Sequence, residues 1–189
     1  MRWITVLLAA LALIVVASAT PAAAKIALTG IGGHLDYVDP ENIDAVVGFG
    51  GLVDLGTITP KIGLEANVDF WSKSMDFLNW KATTRVIAIG ATGKYYFAMK
   101  DSALRPFAGA GLALHLVHGK VEYNSGYLPY YGFTGSASSS DSKVGIDVCG
   151  GTLYGLSTKL DLLGELRYRL VSNVNQMVLR AGIIYRMGQ

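Results

Sequence analysis

Apolar and polar residues alternate one by one through much of this chain, and this period of two limits the fold more than any other feature. In the clearest stretch, Ile62 to Phe70, every even-numbered position is apolar and every odd-numbered position is polar or glycine. Successive side chains of a β-strand point to opposite faces, so this stretch predicts a strand with one apolar and one polar face. A helix would instead repeat its apolar residues every three or four positions.

Stretches with this alternation recur along the chain, and no convincing helical period lies between them. They cover residues 26–38, 45–55, 62–70, 87–97, 107–116, 144–149, 160–170 and 176–186. Consecutive strands without helical connections are expected to pair antiparallel. The predicted fold is therefore all-β, an eight-stranded antiparallel up-and-down β-barrel.

The predicted connections fall into two alternating sets. The longer set is Val38–Asp44, Ser72–Asn79, Tyr123–Ser142 and Val171–Val174. The shorter set is Thr57–Pro60, Ala98–Ala103 and Ser157–Lys159. Bacterial membrane barrels have short periplasmic turns and longer external loops, so the longer set is predicted to face outward.

The apolar rows favour contact with lipid. Only 16% of the residues are charged, against about a quarter in soluble proteins. Most rows run for about nine to eleven residues without a charge, which is the length that a tilted strand needs to cross hydrocarbon. Aromatic residues near the row ends suit the lipid–water boundary: Tyr37, Phe70, Trp71, Trp80, Tyr95, Phe97, Tyr168 and Tyr185. The alternative is a soluble, lipocalin-like periplasmic barrel whose apolar face lies inside.

Residues 1–24 are predicted to be a secretory signal peptide. Arg2 precedes an apolar stretch from Ile4 to Val16, and residues 22–24 are three alanines that match a cleavage pattern. A cut after Ala19 and an uncleaved anchor are the alternatives. The predicted domains are the signal peptide at 1–24 and an outer-membrane barrel domain at 25–189.

Two motifs resemble small outer-membrane β-barrel domains of the OmpA, OmpX and OmpW kind. Arg105 to Leu112, with the letters RPFAGAGL, resembles the RPYxGAGxG opening of the fifth strand in that superfamily. Leu179 to Arg186, LRAGIIYR, resembles its closing strand. The resemblance implies a barrel in the cell outer membrane of a Gram-negative bacterium, and it implies no particular activity. The chain closes on Met187, Gly188 and Gln189, whereas such barrels commonly close on an aromatic residue.

The polar faces carry charges of both signs. Enclosed in a narrow lumen, these side chains can pair, whereas lone buried charges would be costly. We predict a polar network in the lumen formed by Glu65, Lys94, Asp147, Glu165, Arg167, Arg169 and Arg180, with Arg186 on the same face. Since an eight-stranded barrel is just wide enough for its side chains to fill, a broad pore is not expected.

The third external loop is the best candidate for surface recognition. It combines aromatic residues with serine and glycine, a composition suited to adaptable contacts. The candidates are Tyr123, Tyr127, Tyr130, Tyr131 and Phe133. The alternative is a mobile loop whose rings rest on the barrel rim or the membrane interface.

Other functions are weakly supported by the sequence. A catalytic triad of His115, Asp147 and a loop serine can be imagined, but nothing in the sequence fixes its geometry. The motifs of lipid A deacylases and palmitoyltransferases are missing. The three histidines are too scattered to predict a metal site, Cys149 stands alone, and no cofactor is predicted.

The partners predicted from the sequence follow from its charge and its apolar rows. A net charge of only +2 argues against a nucleic-acid partner. We predict a monomer in contact with outer-membrane lipid, non-enzymatic, with a structural or surface-recognition role. An extracellular or periplasmic partner is left open. The alternatives are a lipid-modifying enzyme and a conduit for a small apolar ligand lined by Leu52, Phe107 and Leu153.

Overall fold

A computed structural model describes residues 25–41, 43–77, 80–99, 103–123, 135–172 and 175–187. The predicted signal peptide lies outside these residues. Within the described chain no helix is long and apolar enough to cross a membrane.

The described chain forms eight antiparallel strands that close into a barrel. They are β1 (Lys25–Pro40), β2 (Val46–Thr59), β3 (Ile62–Phe77), β4 (Trp80–Tyr96), β5 (Leu104–Tyr123), β6 (Ser136–Gly155), β7 (Leu160–Val171) and β8 (Gln176–Arg186). Each strand pairs with its neighbour in sequence, and β1 also pairs with β8, which closes the sheet. The predicted fold class is confirmed. Both ends of the described chain, Lys25 and Met187, lie at one end of the barrel, here called the terminal end; the opposite end is the far end.

The alternation of the sequence becomes an alternation between the outside and the interior. β7 shows it most regularly, because every second residue from Asp161 to Val171 is buried and the residues between them are exposed. Glu165 is 2% exposed, while the neighbouring Leu166 is 52% exposed. The apolar faces thus point away from the barrel axis and the polar faces point inward, as a lipid-facing barrel requires.

Two apolar clusters occupy the ends of the interior. Near the terminal end the cluster contains Leu52, Phe107, Cys149, Leu153, Leu163 and Ile184. Near the far end a second cluster contains Val38, Trp71, Val86 and Val178. The polar side chains described below fill the space between them.

Two of the predicted loops are wrong in length. Most of Ser72–Asn79 and the part of Tyr123–Ser142 from Ser136 onward belong to strands. The pairing of β3 with β4 continues to Phe77 and Trp80, and that of β5 with β6 continues to Glu122 and Ser136. Beyond the lipid-facing rows both faces of these strands meet water, so the hydrophobic alternation that marks a strand in the sequence fades there.

A charge placed within a lipid-facing row is expected to destabilise the barrel. Leu112 lies in the middle of the outward row of β5, and Leu112→Arg should lower the free energy of unfolding by about 2–4 kcal/mol. Urea titration of folding into lipid vesicles measures this difference. Ser138→Arg on exposed β6 is the control, with a change of about 0.5 kcal/mol or less. Equal effects of the two substitutions would contradict the lipid-facing assignment of the row.

Candidate functional site

Charged side chains fill the middle of the interior, between the two apolar clusters. The structure places all seven predicted network residues there and buries each of them. We call the set the ionic layer; it comprises Asp36, Glu65, Asp69, Lys94, Asp147, Glu165, Arg167, Arg169 and Arg180. Five carboxylates therefore share the layer with four permanent cations.

One half of the ionic layer is organised around two carboxylates that share a lysine. The Nζ of Lys94 lies 2.7 Å from Glu65 Oε2 and 2.9 Å from Glu165 Oε2. Arg167 donates from Nε to Glu165 Oε1 at 2.8 Å and from Nη1 to Asp147 Oδ2 at 3.0 Å. These residues come from β3, β4, β6 and β7, so the network ties together strands that are not all neighbours.

The other half is organised around Arg180. Its Nε and Nη2 donate to the two oxygens of Asp36 at 2.9 and 3.1 Å, and Nη2 also donates to Asp69 Oδ1 at 2.8 Å. Arg169 donates to the other oxygen of Asp69. His34 lies between these carboxylates, with Nδ1 3.0 Å from Asp36 and Nε2 3.3 Å from Asp69. The two-pronged contact with Asp36 gives Arg180 a defined orientation.

Asp36, Asp69 and His34 are central to the layer but were not among the predicted network residues. Their positions on the inward faces of β1 and β3 were visible in the alternation of the sequence. What the sequence did not show is that β1 and β3 bring both aspartates to the same arginine on β8. That meeting depends on closure of the barrel.

Glycine makes room for this contact. A Cβ at Gly50 of β2 would lie 2.4 Å from Cε1 of His34, closer than packed atoms allow. Gly50 is also opposite His34 in the β1–β2 register. The small residue therefore leaves room for the imidazole of His34, which lies within reach of both aspartates.

The trio of His34, Asp36 and Asp69 has ligand atoms within 4.8 Å of one another. Such a spacing is compatible with a metal site. Here, however, Arg180 already donates to both aspartates, and Arg169 donates to Asp69. Two guanidinium groups at this distance would repel a cation, so the trio is part of the hydrogen-bonded layer.

Among the described residues, neither ring nitrogen of His115 has a hydrogen-bond partner, so no described serine is engaged with it in the triad considered in the sequence. His115 is buried inside the barrel, 1% exposed. By the alternation of β6, Ser138, Ser140 and Ser142 lie on the face that carries the outward residues, and all three are exposed. The hydroxyl groups of these three serines are thus on the face opposite to the interior that holds His115 and Asp147.

Leu52, Phe107 and Leu153, the predicted lining of an apolar conduit, pack against one another in the cluster at the terminal end. The ionic layer lies directly beyond them. The described interior therefore offers an apolar ligand no continuous apolar path. The conduit for a small apolar ligand stays a prediction.

A pocket of about 580 Å³ opens at the terminal end. Its wall includes Tyr96 and a carboxylate shared by two arginines: Asp161 lies 2.5 Å from Arg105 Nη2 and 2.5 Å from Arg186 Nε. The predicted inward position of Arg186 thus corresponds to the mouth of the barrel, where its side chain remains 39% exposed.

At the far end, four strands extend beyond the barrel wall. We call this extension the projecting sheet; it consists of residues 72–77, 80–85, 118–123 and 136–140. β2 stops pairing with β3 at Trp71, and β7 stops pairing with β6 at Gly145. The sheet therefore has two open edges, one on β3 and one on β6.

A lysine lies at the base of each open edge. Lys73 donates from Nζ to the carbonyl of Ala45 at 3.3 Å, and Lys143 donates to the carbonyl of Ser172 at 3.1 Å. Charged residues on an edge strand discourage unspecific pairing with other strands. The base of each edge is thus protected, and the outer part remains accessible.

Of the predicted recognition residues, only Tyr123 is among the described residues, and it lies at the tip of this sheet. Tyr123 is the last residue of β5, paired with Trp80 of β4. Tyr127, Tyr130, Tyr131 and Phe133 lie outside the described residues. The structure therefore gives the position at which the loop leaves the sheet.

Comparison with known proteins agrees with this architecture. The family model for the outer membrane protein beta-barrel domain matches residues 8–186. No curated protein sequence matches the chain.

Several solved structures share the fold at low sequence identity. Neisserial surface protein A is 18% identical, with a TM-score of 0.59 over 84% of this chain and 96% of its own. A major outer membrane protein from Thermus thermophilus is 12% identical, with a TM-score of 0.61 over 84% of this chain and 99% of its own. Ail, the attachment invasion locus protein of Yersinia pestis, in complex with the heparin analogue sucrose octasulfate, is 14% identical, with a TM-score of 0.55 over 85% and 97%.

Removing one cation from the ionic layer is expected to be costly. Arg180→Met leaves Asp36 without its two-pronged partner and should lower the free energy of unfolding by about 3–5 kcal/mol. The control is Arg105→Met at the mouth, where Arg186 still pairs with Asp161, and about 1 kcal/mol or less is expected. Urea unfolding in detergent micelles measures both. A loss at Arg180 no larger than that at Arg105 would contradict the assigned role of the layer.

The filled interior is also expected to block ion flow. In planar bilayers the purified protein should show no large, stable conductance steps, because the two apolar clusters and the ionic layer lie in series along the axis. A large-pore porin inserted under the same conditions is the positive control. Reproducible large steps from this protein alone would contradict the filled interior.

Proposed function

The chain belongs to the outer membrane protein beta-barrel domain family, and from that premise we propose that it is a non-enzymatic surface-recognition protein. Its barrel anchors it in the bacterial outer membrane. We further propose that the far end, with the projecting sheet, faces the exterior, and that the terminal end faces the periplasm.

The orientation is supported by the connections. The longest connection, between Tyr123 and Ser136, joins strands at the far end. At the terminal end β2 and β3 are joined by only Pro60 and Lys61. External loops of bacterial barrels are the longer ones.

The projecting sheet is the observation that carries the proposal. The lipid-facing rows end at Phe70, Ile87 and Leu116, and the strands continue beyond them with polar outer faces. Those further residues neither cross the membrane nor close the barrel, because closure is complete below them. A rigid sheet raised above the rim is well suited to present a binding surface.

The open edge of β6 suggests how a partner is held. Residues 136–144 pair on one side with β5 and have no strand partner from β7. An extended segment of a partner protein can add to such an edge through main-chain hydrogen bonds, and neighbouring side chains then provide specificity. The aromatic loop residues Tyr127, Tyr130, Tyr131 and Phe133 would contribute from the tip.

The interior favours recognition over catalysis or transport. His34 and His115 are both buried, at 5% and 1% exposure, among charged groups that already pair. A lipid substrate would have to reach them through the wall of the barrel. The functional surface is therefore proposed at the far end of the barrel.

Cell adhesion tests the proposal. Cells that express the protein should bind at least one surface in a panel of immobilised extracellular proteins and glycans. Heparin belongs in this panel because Ail, which shares the fold, is known in complex with a heparin analogue. In the test variant, Asn-Gly replaces residues 120–138, which joins the paired residues Gly119 and Ser139 by a tight turn.

The trimmed variant is expected to lose adhesion while the barrel stays folded, as judged by heat-modifiable gel mobility. A second variant, with Tyr127, Tyr130, Tyr131 and Phe133 changed to serine, keeps the length and tests the aromatic loop separately. Adhesion of the trimmed variant equal to that of the full chain, or no adhesion above empty-vector cells on any surface, would contradict the proposal.

A further inference from the structure

A groove on the outer surface of the barrel lies at the boundary between the lipid-facing rows and the projecting sheet. It has a volume of about 550 Å³ and spans β3 to β6. Its apolar side is formed by Phe70, Ile87 and Leu116, and its polar side by Arg85, His118, Ser140, Asp141 and Ser142. The groove is therefore amphipathic.

Strand register sets this division. In one row Phe70, Ile87 and Leu116 are direct neighbours across β3, β4 and β5. In the next row on the same face, Arg85 lies opposite His118, and His118 lies opposite Ser140. The two rows are two residues apart along each strand, which is about 7 Å. The surface thus changes from hydrocarbon-like to polar, with Arg85 at the boundary, within the size of one lipid headgroup.

Arg85 is the unpaired cation of this surface. Within the described residues its exposed side chain has no hydrogen bond or ion pair. The other cations on the same outer face have acidic partners: Lys81 lies 3.5 Å from Asp76, and Lys120 lies 2.6 Å from Glu122. The guanidinium next to the apolar row is therefore the one available to an anion.

The remaining polar groups of the groove add hydrogen-bonding capacity, and the one carboxylate among them, Asp141, forms no ion pair with Arg85 in the described residues. His118 Nδ1 and Ser140 Oγ are 2.9 Å apart, which leaves the His118 Nε2 accessible. Asp141 instead accepts a hydrogen bond from the backbone N–H of Ser142 at 2.9 Å.

We propose that this groove binds a phosphorylated lipid of the surrounding leaflet. Acyl chains lie on Phe70, Ile87 and Leu116, and a lipid phosphate is held by Arg85 with His118 and the two serines beside it. An arginine fork matches two phosphate oxygens at once. Basic side chains next to a membrane surface are attracted to anionic headgroups in the same way. The site requires only that the barrel crosses a bilayer, so it is independent of what the projecting sheet recognises.

Lipid titration followed by native mass spectrometry tests the site. The wild-type protein in detergent is titrated with lipid A, with dephosphorylated lipid A and with phosphatidylglycerol. Arg85→Gln is the test variant. Lys81→Gln is the matched control, since Lys81 is an exposed cation on the same face of the same strand, two rows farther from the apolar row.

We expect Arg85→Gln to weaken binding of the phosphorylated lipids about fivefold to tenfold, and Lys81→Gln to change it less than about twofold. Wild type should bind dephosphorylated lipid A as weakly as Arg85→Gln binds the phosphorylated form. Tighter binding of lipid A supports a glycolipid phosphate as occupant, and tighter binding of phosphatidylglycerol supports a glycerophospholipid.

Two outcomes would contradict the proposal that the groove binds a phosphorylated lipid. One is equal binding of phosphorylated lipid by wild type and Arg85→Gln, and the other is equal binding of lipid A with and without its phosphates by the wild-type protein. Because Arg85 is exposed and has no partner among the described side chains, its replacement should leave heat-modifiable mobility unchanged. A loss of binding is then attributable to the groove.

Discussion

The five carboxylates and four permanent cations of the ionic layer are enclosed together inside this barrel, and the rest of the structure depends on their mutual pairing. Each ion would be costly to bury alone, and each is held by partners on other strands. This enclosure is what allows the opposite face of every strand to be apolar. Since the ions of Asp36, Asp69 and Arg180 meet only when β1, β3 and β8 are in place, the layer also favours the closed arrangement over an open sheet.

The sequence predicted this architecture well where one face of a strand meets lipid and the other meets the interior. There the alternation is sharp, as in β7, and the inward residues Glu165, Arg167 and Arg169 were identified from it. The prediction from the sequence failed where both faces of a strand meet water. The outer halves of β5 and β6 contain residues such as Lys120, Ser138 and Ser140, which give no apolar period. These parts of the two strands were therefore not predicted as strand.

The partners within the interior could not be predicted from the sequence for a different reason. Alternation tells which residues point inward, but not their height or their angle around the axis. Arg180 meets Asp36 where β8 pairs with β1 and reaches Asp69 on β3, at sequence separations of 144 and 111 residues. The groove at Arg85 was missed as well, because it exists only once Ile87, Leu116 and His118 are brought side by side by strand register.

The central claim is that the apolar face of each strand touches lipid while the charged face is enclosed. Site-directed nitroxide labelling in a reconstituted bilayer tests this claim most directly. Labels are placed one at a time from Ala110 to Leu116 on β5, in a protein whose Cys149 is replaced by alanine. The account predicts a period of two: labels at positions 110, 112, 114 and 116 are relaxed by oxygen dissolved in lipid, and those between them are not. Uniform oxygen access along the strand, or strong access of a water-soluble nickel complex at the even positions, would contradict it.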